Sequence, residues 1–404
     1  MSAIPTHPRL RPGLAAAKHE ADPNIVVVWD QLRISHGELH LQQMQFELLQ
    51  RMNGVRSISV LENELRMKFG DSTVLNGDLL RFVKELDDLL LLDSPRFADY
   101  LTGPVREPSC IGCYPAEPEA IRTLFRSHFV AEGGPGLPKY SENAAGLRAV
   151  LAPHIDYRRG GVSYAWAFKE VLERCDASLF VIIGTSHYSQ ERFTVTRQNF
   201  KTPLGIAPVD QAFVDQIETH YGDEIYNDPF AHYPEHSIEL EVVYLQYLYE
   251  NIRPFRIVPI LVGSFRDCVE AEVSPTAQSD IRRMILALKE AEKAAGESVC
   301  YIISGDLAHI GPKFGDPEPV NEAQLTHSRS QDQELIRSAA RLDLNAYFDR
   351  IAKEDDSRRI CGLPPTVVAL AAAEPASGRA LDYGQYVHPQ GHESVSFASI
   401  GFYR

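Results

Sequence analysis

The sequence has no run of about 18 apolar residues, the length that a membrane-spanning helix requires. Its longest apolar block, Val367–Ala373, is far shorter than that. The first residues also contain no continuous apolar stretch of the kind that a secretory signal carries. We therefore expect a cytoplasmic protein with no membrane association.

Basic residues and cysteines are also scarce. Lys and Arg number 40 against 55 Asp and Glu in 404 residues, a net charge of −15. A net acidic surface repels phosphate backbones, so we do not expect nucleic acid as a partner. Six scattered cysteines are too few for a disulfide scaffold, so a cysteine that matters here should act as a thiolate. Cys110 and Cys113 form a CxxC pair, but no second pair follows at zinc-site spacing.

Residues 1–100 have the pattern of a small separate module. Short apolar runs come first and predict small strands or a hairpin. Helical spacing then follows in three stretches, which start near Leu41, Ser59 and Leu75. This outline is similar to a winged helix, but the second predicted helix balances its basic residues with acidic ones. We therefore predict a module that docks a protein partner and does not bind DNA.

The rest of the chain has the pattern of an α/β domain. Residues 101–118 are rich in Pro and Gly and predict a linker into a domain over residues 119–404. Strand-like and helix-like segments alternate there, which predicts a central sheet, mostly parallel or mixed, with helices on both faces. The predicted strands are Ala149–Pro153, Leu179–Gly184, Ile257–Val262, Val299–Ser304 and Val395–Phe402.

Polar side chains follow three of these strands, at the point where each strand ends. His154 follows the first strand, His187 the second, and Asp306 and His309 the fourth. Ligands bind α/β sheets just beyond the carboxyl ends of the strands, so these side chains can converge on one cleft. One histidine in such a place can be purely structural, but three together favour a functional site.

Two other segments offer candidate site residues. Glu235 and His236 precede a predicted amphipathic helix, and with His232 they fit the zinc-peptidase pattern H-x-x-E-H. Pro234 disfavours the continuous helix that this pattern needs, so we expect Glu235 and His236 to line the cleft or cap the helix. Cys361 lies just before an alanine-rich helix, where a thiolate has a lowered pKa and can ligate a soft or borderline metal.

Seven motifs, in the order given, resemble those of the Memo family, also met as protein B of the AmmeMemoRadiSam system: LAPHIDYRRGG, VIIGTSHY, FKTPLG, EHSIELEVVYLQ, IVPILVG, SGDLAHIG and ICG. The resemblance runs from about Arg106 to Arg404 and leaves out the first 100 residues. It implies a fold like that of class III extradiol dioxygenases, in which two histidines and one glutamate hold a non-haem Fe(II). In Memo-like proteins a cysteine takes the place of the glutamate.

The resemblance implies one metal site in this chain, with His154 and His187 as imidazole ligands and Cys361 as the thiolate ligand. The implied metal is Fe(II). A thiolate softens the site, so copper and zinc are the alternatives. A thiolate is also oxidisable, so dioxygenase activity does not transfer automatically with the fold.

The resemblance places three further side chains in the same cleft, with His309 as a catalytic acid/base and Asp306 and His236 beside it. These groups favour a metal-dependent oxidoreductase, because a pure binding site needs no acid/base pair. The cysteine ligand favours the alternative, a non-catalytic metal- or peptide-binding adaptor. We expect a small molecule or peptide in the cleft, and the family context implies a radical SAM protein as a partner.

Overall fold

A computed structural model describes residues 4–35, 37–70, 77–141 and 145–404 of the chain. The chain divides into two compact units, with the boundary between Ser109 and Cys110. This boundary lies inside the predicted linker, whose first residues belong to a helix that ends at Thr102. Among the described residues, none of the helices has the length and apolar character needed to cross a bilayer.

The first unit combines a small antiparallel sheet with short helices. Its described elements are β1 (Leu14–Lys18), β2 (Ile25–Asp30), β3 (Glu38–Gln42), α1 (Gln43–Arg51), α2 (Ile58–Phe69), α3 (Asp78–Asp88), α4 (Pro95–Thr102) and β4 (Val105–Arg106). Strands β1, β2 and β3 pair in that order. Every second residue of β2 is buried, because one face of the sheet packs on the helices.

The predicted helices of this unit are present, with shifted ends. Leu41 belongs to β3, and α1 starts two residues later. Ser57 caps α2, since its side chain accepts a hydrogen bond from the amide of Val60. The predicted start of the third helix near Leu75 lies outside the described residues. Leu79 packs in this unit's own core, and the winged-helix likeness stays a prediction.

The second unit is built around a mixed sheet. The strands of the second unit are β5 (Leu147–Ala152), β6 (Leu179–Thr185), β7 (Phe193–Val195), β8 (Asn199–Thr202), β9 (Gly205–Ala207), β10 (Arg256–Val262), β11 (Val299–Ser304), β12 (His309–Ile310), β13 (Ser377–Val387) and β14 (Ser394–Tyr403). All of them except β8 and β9 belong to the mixed sheet. The sheet order is β12-β14-β5-β11-β6-β10-β7, and β13 pairs with β14. Strands β5, β11, β6 and β10 are parallel to one another. Strands β7 and β14 run antiparallel to their neighbours β10 and β5.

Helices cover this sheet. They are α5 (Pro118–Val130), α6 (Tyr157–Arg174), α7 (Gln211–Tyr221), α8 (Glu239–Tyr249), α9 (Arg266–Ala271), α10 (Ser279–Ala295), α11 (Glu322–Ala340), α12 (Leu344–Lys353) and α13 (Leu363–Ala373). Every residue of β6 and β11 is buried, so both faces of the central strands are covered. The predicted α/β class and mixed sheet are confirmed, and the predicted strands lie within two residues of the observed ends. The likeness to extradiol dioxygenases stays a prediction.

Helices α5 and α6 approach closely at a glycine. A Cβ added to Gly161 would lie 2.4 Å from Nε2 of His128, so only glycine leaves room for that ring. The ring of His128 stacks on that of Tyr244, with 6.5 Å between the ring centroids. Burial lowers the pKa of His128 from 6.5 to about 4, so the ring is neutral in the folded protein at pH 7.

We predict that acidification weakens the second unit through His128. Below pH 6.5 the unfolded chain binds a proton at this ring and the folded chain does not, so stability falls with pH down to about pH 4. The difference in unfolding free energy between wild type and His128→Gln should shrink by up to about 1.4 kcal/mol per pH unit in that window. Urea unfolding, followed by Trp166 fluorescence in a Trp29→Phe background, measures this difference.

The matched control for this experiment is His220→Gln, because His220 is exposed on α7. The exposed His220 side chain contributes no buried ring, so this variant shows the effect of removing a histidine without removing a buried one. Parallel stability curves for wild type and His128→Gln between pH 6.5 and 4 would contradict the prediction.

Candidate metal centre

Polar side chains follow three adjacent parallel strands at one edge of the sheet. His154 lies two residues beyond the end of β5, His187 two beyond β6, and Asp306 two beyond β11. The pairing register places Ser304 at the end of β11 opposite both Ala152 and Gly184. The three chain ends therefore leave the sheet at the same level, and their side chains meet there.

Three histidines form the core of this cluster. One potential ligand atom from each of His154, His187 and His236 lies within 4.8 Å of the others. The ring centroids of His154 and His187 are 5.0 Å apart, and those of His187 and His236 are 4.9 Å apart. His154 is buried and His187 is exposed, so the cluster opens to solvent on the side of His187. Imidazole nitrogens at this spacing can hold one first-row metal ion.

The buried carboxylate of Glu235 orients two of these rings. It accepts hydrogen bonds from Nδ1 of His187 at 3.0 Å and from the His187 amide at 2.7 Å. It also lies 3.2 Å from Nδ1 of His236 and accepts from the amides of His236 and Ser237. With both Nδ1 atoms occupied, each ring keeps Nε2 for a ligand. Such carboxylate–histidine pairs fix the tautomer and increase the basicity of metal-binding rings.

The third ring, that of His154, is held from the sheet side. Its Nδ1 lies 3.4 Å from Oγ of Ser304, and its amide donates to Oδ1 of Asp306 at 3.0 Å. Its Nε2 lies 3.7 Å from Oδ2 of Asp306. The ring of His154 also lies 5.2 Å, between centroids, from that of His236.

Cys361 reaches the cluster from a distant part of the chain. Its Sγ lies 3.2 Å from Nε2 of His154 and 3.7 Å from the carbonyl of Asp306. The Thr185 hydroxyl donates to the Cys361 carbonyl at 2.7 Å, which ties this segment to the end of β6. The sulfur of Cys361 therefore lies against one ring of the three-histidine cluster.

Two glycines allow this approach. A Cβ on Gly305 would lie 2.6 Å from Cα of Gly362, and a Cβ on Gly362 would lie 2.6 Å from the carbonyl oxygen of Asp306. The amide of Gly362 donates to that same carbonyl at 2.8 Å. The two backbones are thus in direct contact, and a side chain at either position would push Cys361 away from His154.

His309 is positioned by main-chain carbonyls. Its Nδ1 lies 3.1 Å from the carbonyl oxygens of both Leu307 and Arg359, so Nδ1 carries the proton and Nε2 is the free base. Burial lowers the pKa of His309 to about 4, so the ring is neutral at pH 7.

Burial and neighbouring charges give the groups of the centre different protonation preferences. Burial, with the nearby His187 and His236, holds the pKa of His154 well below its usual range. The pKa of His187 is raised because the Glu235 carboxylate outweighs the effect of burial. Burial raises the pKa of Asp306 to about 7. Burial also raises the pKa of Cys361, which differs from the lowering expected of a helix start, so metal binding must displace its proton.

The structure brings five of the sequence-predicted side chains into contact in one region, and His309 lies near enough for its charge to affect His154. His236 belongs to the same cluster as His154 and His187. Cys361 and Asp306 both lie against His154. The sequence analysis did not predict that the Glu235 carboxylate contacts both His187 and His236. The position of Glu235 directly before His236 was the one indication of this contact in the sequence. A cavity of about 180 Å³ lies beside the centre, with Thr185, Ser186 and Cys361 in its wall.

The zinc-peptidase pattern does not form a site. Residues 232–236 precede α8 and are not helical, as Pro234 predicted. Nε2 of His232 lies 3.3 Å from the carbonyl of Thr194, on β7. His232 and His236 therefore do not share the helical face that such a peptidase requires.

Comparison with known proteins identifies the same part of the chain. The model of the Memo-like protein family matches residues 106–401. A MEMO1 family protein of Aquifex aeolicus is 27% identical over 390 residues, covering 93% of this chain and 96% of its own. A MEMO1 family protein of Methanopyrus kandleri is 29% identical over 308 residues, or 74% of this chain and 99% of its own. The Aquifex alignment is longer than the second unit and so extends into the first.

We predict that Glu235→Gln weakens metal binding about 10–100-fold, the usual effect of losing such an outer carboxylate. The amide keeps the size of the side chain but removes the charge that polarises His187 and His236. Co(II) affinity, measured by competition with a chelator, reports the change. Glu250→Gln is the control, because that carboxylate pairs with Arg122 instead of a histidine. Equal Co(II) affinities for Glu235→Gln and wild type would show that the Glu235 carboxylate does not support metal binding.

Proposed function

The chain belongs to the Memo-like protein family, and we propose that it binds one metal ion and acts as a non-haem metal-dependent oxidoreductase on a small molecule. The proposed ligands are His154, His187 and Cys361. The observation that carries the proposal is the position of the Cys361 sulfur, 3.2 Å from Nε2 of a histidine that lies in a three-histidine cluster. These contacts between distant chain segments support the proposed ligand set.

The donor set suits a redox-active or Lewis-acidic metal. Imidazole and thiolate together favour iron, copper or zinc over magnesium or calcium, which prefer oxygen ligands. We propose Fe(II) first, with copper and zinc as alternatives. Such an ion would supply Lewis acidity and, for iron or copper, electron transfer. The exposed side of His187 leaves access for a substrate.

The proposed proton-transfer groups are His309 and Asp306. His309 presents Nε2 as a neutral acceptor, because both partners of its Nδ1 are carbonyl oxygens. Asp306 has a pKa of about 7, so it can hold or release a proton near neutral pH. His236 shares the Glu235 carboxylate with His187, so it is placed to orient a bound substrate or serve as an additional ligand.

A non-catalytic metal- or peptide-binding adaptor is the second candidate. The observation that favours it is the cysteine itself, because a thiol beside the metal is open to oxidation by activated oxygen. A radical SAM protein as partner and a docking role for the first unit are proposals from the family context. Elemental analysis of anaerobically purified protein, followed by O₂ uptake with a panel of catechols, separates the two candidates. Stoichiometric metal with no uptake for any catechol would favour the adaptor.

Cys361→Ser should sharply reduce metal binding, by about tenfold or more, because the soft sulfur donor is lost. Metal content after anaerobic purification and Co(II) affinity by chelator competition measure the effect. Cys110→Ser and Cys113→Ser are matched controls, since neither residue belongs to the proposed ligand set. Wild-type metal content in Cys361→Ser would show that His154, His187 and His236 hold the metal without the sulfur.

His309→Ala should keep metal content near wild type and abolish any turnover. The expected result follows from its assigned role, because His309 moves protons and donates no ligand atom. Metal content and O₂ uptake are measured on the same sample. Loss of the metal from this variant would instead identify His309 as a ligand.

A further inference from the structure

The loop that carries Cys361 has an unusual backbone. Residues 354–361 lie between α12 and α13, and we name them the cysteine loop. Asp355, Asp356 and Arg359 have φ angles of 51°, 48° and 54°, in the left-handed region that side chains disfavour. Strained conformations of this kind persist only where surrounding contacts impose them. The loop must therefore be held by strong contacts.

The cysteine loop also fixes His309. The amide of His309 donates to the carbonyl of Arg358 at 2.6 Å, and its Nδ1 donates to the carbonyl of Arg359 at 3.1 Å. The guanidinium of Arg359 donates to the His309 carbonyl in return. One loop thus determines the position of the proposed sulfur ligand and that of the proposed proton acceptor.

A buried ion pair anchors this loop to the body of the second unit. Nη1 of Arg358 lies 2.5 Å from Oδ1 of Asp332 on α11, and the two side chains are 7% and 0% exposed. Nε of Arg358 contacts Glu354 at 2.7 Å, inside the loop itself. The other oxygen of Asp332 accepts from the hydroxyl of Tyr383 on β13 at 2.9 Å. Arg358 is therefore connected, through one carboxylate, to a helix and a strand.

The other ion pairs of the loop lie at the surface. Arg359 pairs with Asp316, and their side chains are 38% and 26% exposed. Arg266 pairs with Asp355, and theirs are 45% and 71% exposed. Exposed pairs are screened by water and fix geometry weakly. A buried pair adds little net stability against apolar replacements, but its directional hydrogen bonds define one geometry.

We propose that the Arg358–Asp332 ion pair is the positioning element that holds Cys361 and His309 at the metal centre. Neither side chain touches the metal ligands, so both act through the cysteine loop. The proposal rests on the proposed function, in which Cys361 is a metal ligand.

The test uses the full chain, with Co(II) as the probe. The double variant Asp332→Asn/Arg358→Met removes both charges together, so no unpaired charge is left buried, and Asn keeps an acceptor for Tyr383. Arg358→Lys is the second variant, because it keeps the charge but loses the planar fork that contacts two carboxylates. The readouts are Co(II) affinity and the near-ultraviolet thiolate-to-Co(II) charge-transfer absorption. Urea unfolding checks that each variant is folded.

The control is Arg350→Met/Glu334→Gln, which removes an ion pair between α12 and α11 where both side chains are 36% exposed. The control should bind Co(II) like wild type. The Asp332/Arg358 double variant should be folded, bind Co(II) about 10–100-fold more weakly and lose most of the charge-transfer absorption. Arg358→Lys should show a smaller loss of the same kind.

Wild-type affinity and absorption in a folded Asp332/Arg358 double variant would overturn the proposal. If that variant does not fold, the same wild-type result for Arg358→Lys would overturn it. The proposed ligand set is tested separately by Cys361→Ser in an otherwise wild-type chain. Charge-transfer absorption that persists in Cys361→Ser would refute the sulfur ligand, whatever the positioning variants show.

Discussion

Parallel pairing of β5, β11 and β6 is the constraint on which the metal centre depends. The three strands are adjacent and run in the same direction, so the residues that follow them leave the sheet at a single edge. His154, Asp306 and His187 occupy equivalent places after these strands. A slip of one residue in either register would turn buried side chains toward the wrong face, and the complete burial of β6 and β11 opposes such a slip.

The second requirement is close contact between two backbones. Cys361 enters the centre only because Gly305 and Gly362 lie against each other without side chains between them. The same segment contacts the ends of two strands, through Thr185 on β6 and the carbonyl of Asp306 after β11. These contacts fix the Cys361 segment against the sheet edge, and a metal site with Cys361 as a ligand would need such a fixed position.

Buried carboxylates give the centre its electrostatic character. Glu235 is almost fully buried, and His187 and His236 hold its pKa well below the usual range despite that burial. Asp306 is equally buried, but its pKa is near 7 because burial outweighs the amide hydrogen bonds that it accepts. One carboxylate thus supplies a permanent negative charge beside the ligands, and the other can take up a proton. A cation at the centre would neutralise the charge of Glu235 and lower the pKa of Asp306, which favours its ionised form.

The sequence alone determined the α/β class, the positions of the main strands and the family, because alternating apolar segments and ordered motifs are properties of neighbouring residues. It also identified His154, His187 and Asp306, since each directly follows an apolar strand. The contacts of Glu235 with His187 and His236, and the Arg358–Asp332 ion pair, are visible only in the tertiary structure. So is the protonated thiol of Cys361, whose sulfur meets a histidine 207 positions away. The pKa values and the geometry of the donor atoms depend on burial and on contacts between distant residues. Neither can be predicted from the spacing of neighbouring residues in the sequence.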